Sequence, residues 1–353
     1  MIAPVFLLAL SSIVSAIPVK RCVIDATKLI KLLTVSPPCR SQPTDWMQAN
    51  IGTLGSRPLT HICIPGSHDA GMSQLNGGTA FSNAANTQTQ TLSIGDQLIA
   101  GSRYFDIRPV ISDGSYATGH YSDVSAINSW QGSNGQNISD VISEINSFTD
   151  RNNELIIINL SHAYDTDDGN SNYPIFTQDQ WNALFDELTG INHLYVHPNP
   201  TTVDLTTVTL STFIESSPAV VVIIQPDDTI NLGDYSSQGF YQYSQLNAYN
   251  SYADTDDLST MEDDQLAKMA AQRGNPDQSY FLLSWTLTQS TADVLGFGSS
   301  ILDLANKADA ALYTDLPPKL STNTYPNILF IDNFQNDGQI VNLAMNINTQ
   351  FAS

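Results

Sequence analysis

From Trp46 onward, short apolar runs alternate with stretches in which apolar residues recur every three or four positions. The runs read as strands and the periodic stretches as amphipathic helices. Strands are predicted over 62–65, 104–109, 117–120, 155–160, 219–224, 281–286 and 328–331, with one more between 241 and 252. Several are apolar at every position, as parallel strands covered on both faces must be. Helices are predicted over 138–149, 178–188, 261–272, 301–312 and 340–351, several of them opened by Ser, Asp or Gly. No internal repeat interrupts this rhythm.

Seven or eight strands separated by crossovers predict an α/β chain, folded over residues 46–353 as a single (β/α)8-type TIM barrel, irregular or distorted in outline. An open doubly wound sheet is the alternative. No G-x-G-x-x-G follows a strand, so its dinucleotide-binding form has no support. Residues 165–173 and 225–237 read as loops on the barrel rim.

Residues 1–16 read as a secretory signal peptide. An apolar stretch too short to span a bilayer leads into small residues, and Val14-Ser15-Ala16 fits the cleavage position, although no basic residue comes first. Residues 17–45 form an N-terminal extension. It carries the dibasic pair Lys20-Arg21, a candidate propeptide boundary, and Cys22 and Cys39, which in an exported chain could form a disulfide. Cys63, inside an apolar run, reads as an inert core thiol. Asn137 and Asn159 open glycosylation sequons, the second at the end of an apolar strand where a glycan has no access. The expectation is a secreted monomer.

Hydrophobic residues make up 41% of the 353, which excludes wholesale disorder. Thirteen Lys+Arg against 35 Asp+Glu give a net charge of -22, which repels nucleic acid and opposes docking on anionic membranes. The scarcity of cations makes their positions informative. None lies between Asn152 and Ala267, yet Arg103 and Arg108 sit in one short segment. On a strand, Asp106 and Arg108 share a face. Arg103, at the strand's start, belongs to the stability end of a barrel, paired with an acid; Arg108 belongs at the mouth.

Pro65-Gly66-Ser67-His68-Asp69 follows the first strand, Gly119-His120 ends the third, and Asp332 follows the last. In a closed barrel these strand tips converge. Two imidazoles, a guanidinium and orienting carboxylates suit phosphodiester cleavage without metal or cofactor: one neutral His as base, one imidazolium as acid, and Arg on the phosphate oxygens. A two-carboxylate glycosidase on the same barrel would leave the paired His and the Arg unexplained.

At these residues the chain resembles the catalytic domain of phosphatidylinositol-specific phospholipase C, most closely the metal-independent bacterial branch and secreted fungal relatives. The resemblance runs from about Trp46 to the C-terminus and is strongest in Ile64-Pro65-Gly66-Ser67-His68-Asp69, in the segment from Gly101 to Arg108, in Gly119-His120 and in the run ending at Asp332. It implies that His68 is the general base held by Asp332, that His120 is the general acid assisted by Asp69, and that Arg108 binds the phosphate. It further implies a phospholipid or soluble phosphodiester substrate, a cyclic phosphate product, transient membrane contact, and no metal or nucleic acid. Asp106, His162 and Tyr252 are the candidate substrate contacts. Two positions depart from the bacterial pattern: Ser161-His162 and Gln225-Pro226-Asp227 stand where that branch places basic substrate contacts. A headgroup-binding barrel that has lost turnover, or a metal-dependent glycerophosphodiester or sphingomyelin phosphodiesterase, are the alternative readings.

Overall fold

The computed structural model describes residues 43–124, 128–169, 172–225, 229–274, 279–294 and 296–352. The expected signal peptide, the Lys20-Arg21 pair and the Cys22–Cys39 disulfide lie outside the described residues. The described residues open on the short turn Pro43–Asp45.

The described residues include twelve strands: β1 (Ile64–Ser67), β2 (Tyr104–Ile107), β3 (Pro109–Ser112), β4 (Ser115–Val124), β5 (Ser129–Asn137), β6 (Leu155–Leu160), β7 (Tyr164–Asp165), β8 (Ala219–Ile224), β9 (Phe240–Gln242), β10 (Ala248–Tyr249), β11 (Tyr280–Ser284) and β12 (Ile328–Ile331). Eight of them form a parallel sheet in the order β10-β11-β12-β1-β2-β6-β8-β9. Both faces are buried. Phe105, Ile107, Ile156, Ile158, Val220 and Val222 pack outward against Val141, Ile145, Trp181 and Phe185 of the helices Ile138–Thr149 and Gln178–Leu188. The opposite parity, Tyr104, Ile157, Val221 and Ile223, joins Ile64 and Ile328 in a second cluster. That alternation is the period of two acting on a sheet with no wet face.

The sheet curls as the expected barrel does, but its ladder stays open between β9 and β10. Only residues 243–247 separate these two strands. A hydrogen-bonded parallel neighbour needs a crossover of about a dozen residues or more, so this connection cannot close the ring.

The segment 117–120 differs from expectation. It is not a barrel strand but part of β4, in a separate four-stranded sheet ordered β5-β4-β3-β7. β2 pairs directly with β6, so β3, β4 and β5 are an excursion between two barrel strands, joined at its edge by β7. Its cause is local: Asp113 and Gly114 have φ of 51° and 69°, the pairing Ser112↔Ser115 closes around them, and an Asp-Gly pair at positive φ makes a two-residue hairpin turn.

The end of the barrel away from β-strand C-termini is locked by charge. Arg103 Nε donates to Glu154 Oε2 at 2.9 Å with both side chains fully buried, and Glu154 also accepts from the backbone of Met47 and Gln48. Burial lowers the pKa of Arg103 and raises that of Glu154. Cys63 is a buried free thiol, pushed up by burial. Asn159 is buried and Asn137 exposed.

Candidate active site

His68 directly follows β1, where its backbone N–H donates to Ile331 O at 2.9 Å and so continues the β1–β12 ladder. Its Nδ1–H donates to Asp332 Oδ1 at 2.7 Å. Phe330, two residues before Asp332 on β12, meets the imidazole edge-on at 5.3 Å. Gln90 clamps the junction: its Nε2 donates to His68 O at 2.8 Å, and its Oε1 accepts from Phe334 N at 2.8 Å.

Arg108 stands one residue past β2. Its Nε donates to Asp106 Oδ2 at 3.0 Å, its Nη1 lies 3.4 Å from Asp69 Oδ2, and its Nη2 donates to His68 Nε2 at 2.6 Å. A guanidinium can only donate, so His68 Nε2 carries the lone pair and Nδ1 the proton. His68 is therefore in the tautomer that leaves Nε2 able to accept a proton.

His120 reaches the same cluster from β4. Its Nδ1–H donates to Asp69 Oδ2 at 2.6 Å, so Asp69 links His120 to Arg108. Asp69 is fully buried and has a φ of 39°, a conformation uncommon outside glycine that concentrates at functional sites. Thr89 Oγ1 holds its carbonyl at 2.8 Å. Gly132, on β5 opposite Tyr121, lets the ribbon close on this strand: a Cβ there would lie 2.1 Å from His120 O.

Charge balances across the cluster. Burial works against a charged His68, but Asp332 and Asp106 together leave the imidazole raised above its ordinary value. Burial likewise opposes ionisation of Asp106, yet Arg108 pulls that carboxyl down to about 2. Arg108 is desolvated too, and Asp69 with Asp106 more than restores its charge. The side chains of His68 and His120 are each 20% exposed and that of Arg108 15%, so all three open to water.

The structure thus brings together His68, Asp69, Asp106, Arg108, His120 and Asp332. Asp106 is 4% exposed, and its oxygens are taken by Arg108, by Ser161 Oγ at 2.6 Å and by Asp69 N at 3.2 Å, which makes it a strut for the guanidinium. His162 joins through Ser161, whose Oγ is 2.9 Å from its Nδ1. Tyr252 is 58% exposed, and its carbonyl accepts from Lys268; none of the cluster's hydrogen bonds involves it. Among the described residues, no group of three His, Cys, Asp or Glu is placed to hold a metal ion.

No family model matches the chain. A PI-PLC X-box domain-containing protein of Dictyostelium discoideum is 29% identical over 147 residues, covering 37% of this chain and 18% of that protein. The PI-PLC X domain-containing protein 3 of Bos taurus is 30% identical over 146 residues, covering 34% of this chain and 42% of that protein. The chain therefore spans less than half the length of these relatives. Phosphatidylinositol-specific phospholipase C from Listeria monocytogenes superposes with a TM-score of 0.61 at 20% identity, covering 87% of this chain and 99% of that one. A variant of the Staphylococcus aureus enzyme does so at 0.58 and 18%, covering 83% and 91%. The chain is thus similar to PI-PLC X-domain proteins over about a third of its length and shares the fold of the bacterial enzymes.

Ser161, Gln90 and Thr89 also touch the cluster, and none of them was among the site residues expected from the sequence. Ser161 had a signal, since it adjoins His162 at the C-terminal end of β6. Gln90 and Thr89 had none. They lie in a loop without period, and only the tertiary fold carries them beneath His68 and Asp69.

Proposed function

We propose that the chain is a phosphodiesterase of the phospholipase C type, cleaving a phospholipid or a soluble headgroup phosphodiester by acid–base catalysis. One observation carries this reading: two histidines, each with Nδ1 on a carboxylate, flank one guanidinium that touches the first and shares Asp69 with the second. In the free site Arg108 covers the His68 lone pair. A substrate phosphate draws the guanidinium to its oxygens through bidentate charge-assisted bonds and so frees the base.

A hydroxyl of the headgroup then attacks its own phosphorus. The proton passes to His68 Nε2, the bond from phosphorus to the alcohol leaving group breaks, and the His120 imidazolium gives its proton to the departing oxygen. The products are a cyclic phosphate and an alcohol, diacylglycerol where the substrate is a phosphatidylinositol-like lipid. Nucleophile and phosphorus share one molecule, so much of the ordering cost is met before reaction. Arg108, permanently charged, stabilises the charge that builds on the phosphorane oxygens. Transient contact with a lipid surface and export directed by residues 1–16 belong to the same reading.

Phosphorus NMR on a panel of phosphodiesters tests it. A cyclic phosphate is expected from at least one hydroxyl-bearing headgroup, unaffected by chelator and abolished by His68→Ala. Turnover that survives that substitution, or that requires a divalent ion, would sink the mechanism.

A further inference from the structure

The helix Gln178–Leu188 buries Trp181, Leu184, Phe185 and Leu188 against the barrel. Its other face carries Gln178, Asn182 and Asp186, four residues apart and so stacked in one row. Across from this row stands the short helical turn Gly233–Gln238, and a groove of about 420 Å³ runs between the two. The groove lies on the outside of the barrel and shares no residue with the cluster around Arg108.

The walls are tied to each other at two points. Gln178 Oε1 accepts from Asn231 N at 2.9 Å, and its Nε2 donates to Asn231 O at 3.0 Å. Further along, Tyr235 Oη donates to Asp186 Oδ1 at 2.6 Å, with Asn182 O at 3.2 Å, while its ring packs on Phe185. These bonds also settle which atoms are left over. A backbone N–H only donates, so Oε1 of Gln178 is the atom on Asn231 N, and Nε2 is the atom that meets Asn182 Oδ1 at 2.9 Å. In the same way Gly233 N fixes Asn231 Oδ1 at 3.0 Å. Asn182 and Asn231 therefore each have the amide oxygen committed and Nδ2 to spare, and Asp186 has Oδ2 to spare. Among the described residues, neither those three atoms nor the carboxylate of Asp234, on the facing turn, has a partner.

We infer that this groove is a binding site for a neutral saccharide. Each sugar hydroxyl both donates and accepts, and the uncommitted groups supply both complements: two amides that donate and two carboxylates that only accept. Three of the four planar groups are already pinned through one atom, so little side-chain freedom is lost when the other atom is used. Other ligand classes fit the lining less well. No Lys or Arg occurs between Asn152 and Ala267, so an anion would meet two carboxylates and no cation. Among the described residues, the two carboxylates have no third His, Cys, Asp or Glu with which to hold a metal ion. Leu232, itself buried, and the Tyr235 ring are the apolar part of the lining, too little for an acyl chain. Bound here, a surface glycan would hold this strongly acidic chain in place with no help from electrostatic attraction.

The full chain, labelled with 15N in its asparagine side chains, is titrated with glucose, mannose, galactose and N-acetylglucosamine, and separately with inorganic phosphate and calcium chloride. At least one sugar should shift the Nδ2 resonances of Asn182 and Asn231 saturably. Its dissociation constant should be on the order of 1 mM, the scale for a ligand of about a dozen non-hydrogen atoms. Asp186→Asn keeps an acceptor for Tyr235 and turns the spare acceptor into a donor, so it should weaken that sugar by about tenfold. Asp234→Asn breaks no bond within the protein and should also weaken it, which separates loss of the site from loss of the fold. Silence of both amide resonances with all four sugars, at concentrations up to about 100-fold above that constant, overturns the site. A response to phosphate or calcium alone overturns the ligand class, and affinity undiminished in both variants overturns the role of the carboxylates.

Discussion

Lysine in place of Arg108 would keep the charge and lose the fork. Three groups share that guanidinium, Asp106 at Nε, Asp69 at Nη1 and His68 at Nη2, and one ammonium cannot reach all of them while also clasping a phosphate. Arg108→Lys is therefore expected to lower kcat by about 100-fold with a smaller change in KM, because the lost contacts matter most where charge develops. Steady-state kinetics on the best substrate of the panel checks this. Asp332→Asn tests the other side of the base. Asp332 raises the pKa of His68, and the base works only when neutral, so activity falls as pH drops through that raised value. Without the carboxylate the pKa falls and the acidic limb of the kcat/KM profile moves to lower pH. The amide no longer fixes the Nδ1–H tautomer, so the plateau should drop on the order of 10³-fold.

At the scale of elements, the chemistry and the stability occupy opposite ends of the strands. Glu154, just ahead of β6, anchors Arg103 and two backbone N–H groups where no substrate comes. Glu154→Gln leaves a buried guanidinium without its counter-charge and should cost about 3 kcal/mol in urea unfolding, with the turnover of the folded fraction unchanged. This frame was legible in the sequence. The bounds predicted for 155–160, 219–224 and 328–331 coincide with β6, β8 and β12, because long apolar runs between turn signals have few other uses. His68, Arg108 and Asp332 were legible for the same reason, each lying just past a barrel strand. The excursion was not. Residues 117–120 fall where the strand rhythm calls for a third barrel strand, while their partner β5 is Ser-, Gly- and Gln-rich with no alternation to betray it. Asp113-Gly114 was the available clue, and a hairpin signal between unequal strands is read only once the partner is known. The open seam between β9 and β10 was hidden as well, since a single apolar stretch does not announce that it breaks into two short strands.

For the whole molecule, the balance is between a net charge of -22 and the apolar side chains on the rim. Phe81 is 64% exposed and Phe297 85% exposed, in the loops that follow β1 and β11. Asn86 ties these loops together, its Nδ2 donating to Phe81 O at 3.0 Å and Val294 O at 3.1 Å. Two unsupported aromatic rings beside the mouth suit shallow insertion into a lipid interface, whereas the acidic surface resists an anionic one. Turnover should accordingly be faster on zwitterionic vesicles than on anionic ones, and added salt should narrow that gap by screening. Replacing both Phe81 and Phe297 by Ser should reduce turnover of vesicle-borne substrate by about tenfold while sparing a short-chain soluble analogue. Sedimentation with vesicles separates weaker docking from weaker chemistry.

The two imidazoles proposed to carry protons come from different pieces of architecture: His68 from the parallel frame of the barrel, His120 from a ribbon spliced in between β2 and β6. A frame is hard to alter without unfolding, but a hairpin tolerates exchange. On the proposed mechanism, proton abstraction would belong to the fixed frame and leaving-group protonation to an exchangeable cassette. Grafting a relative's ribbon onto this frame would retune which alcohols can depart without disturbing how the attacking oxygen is activated.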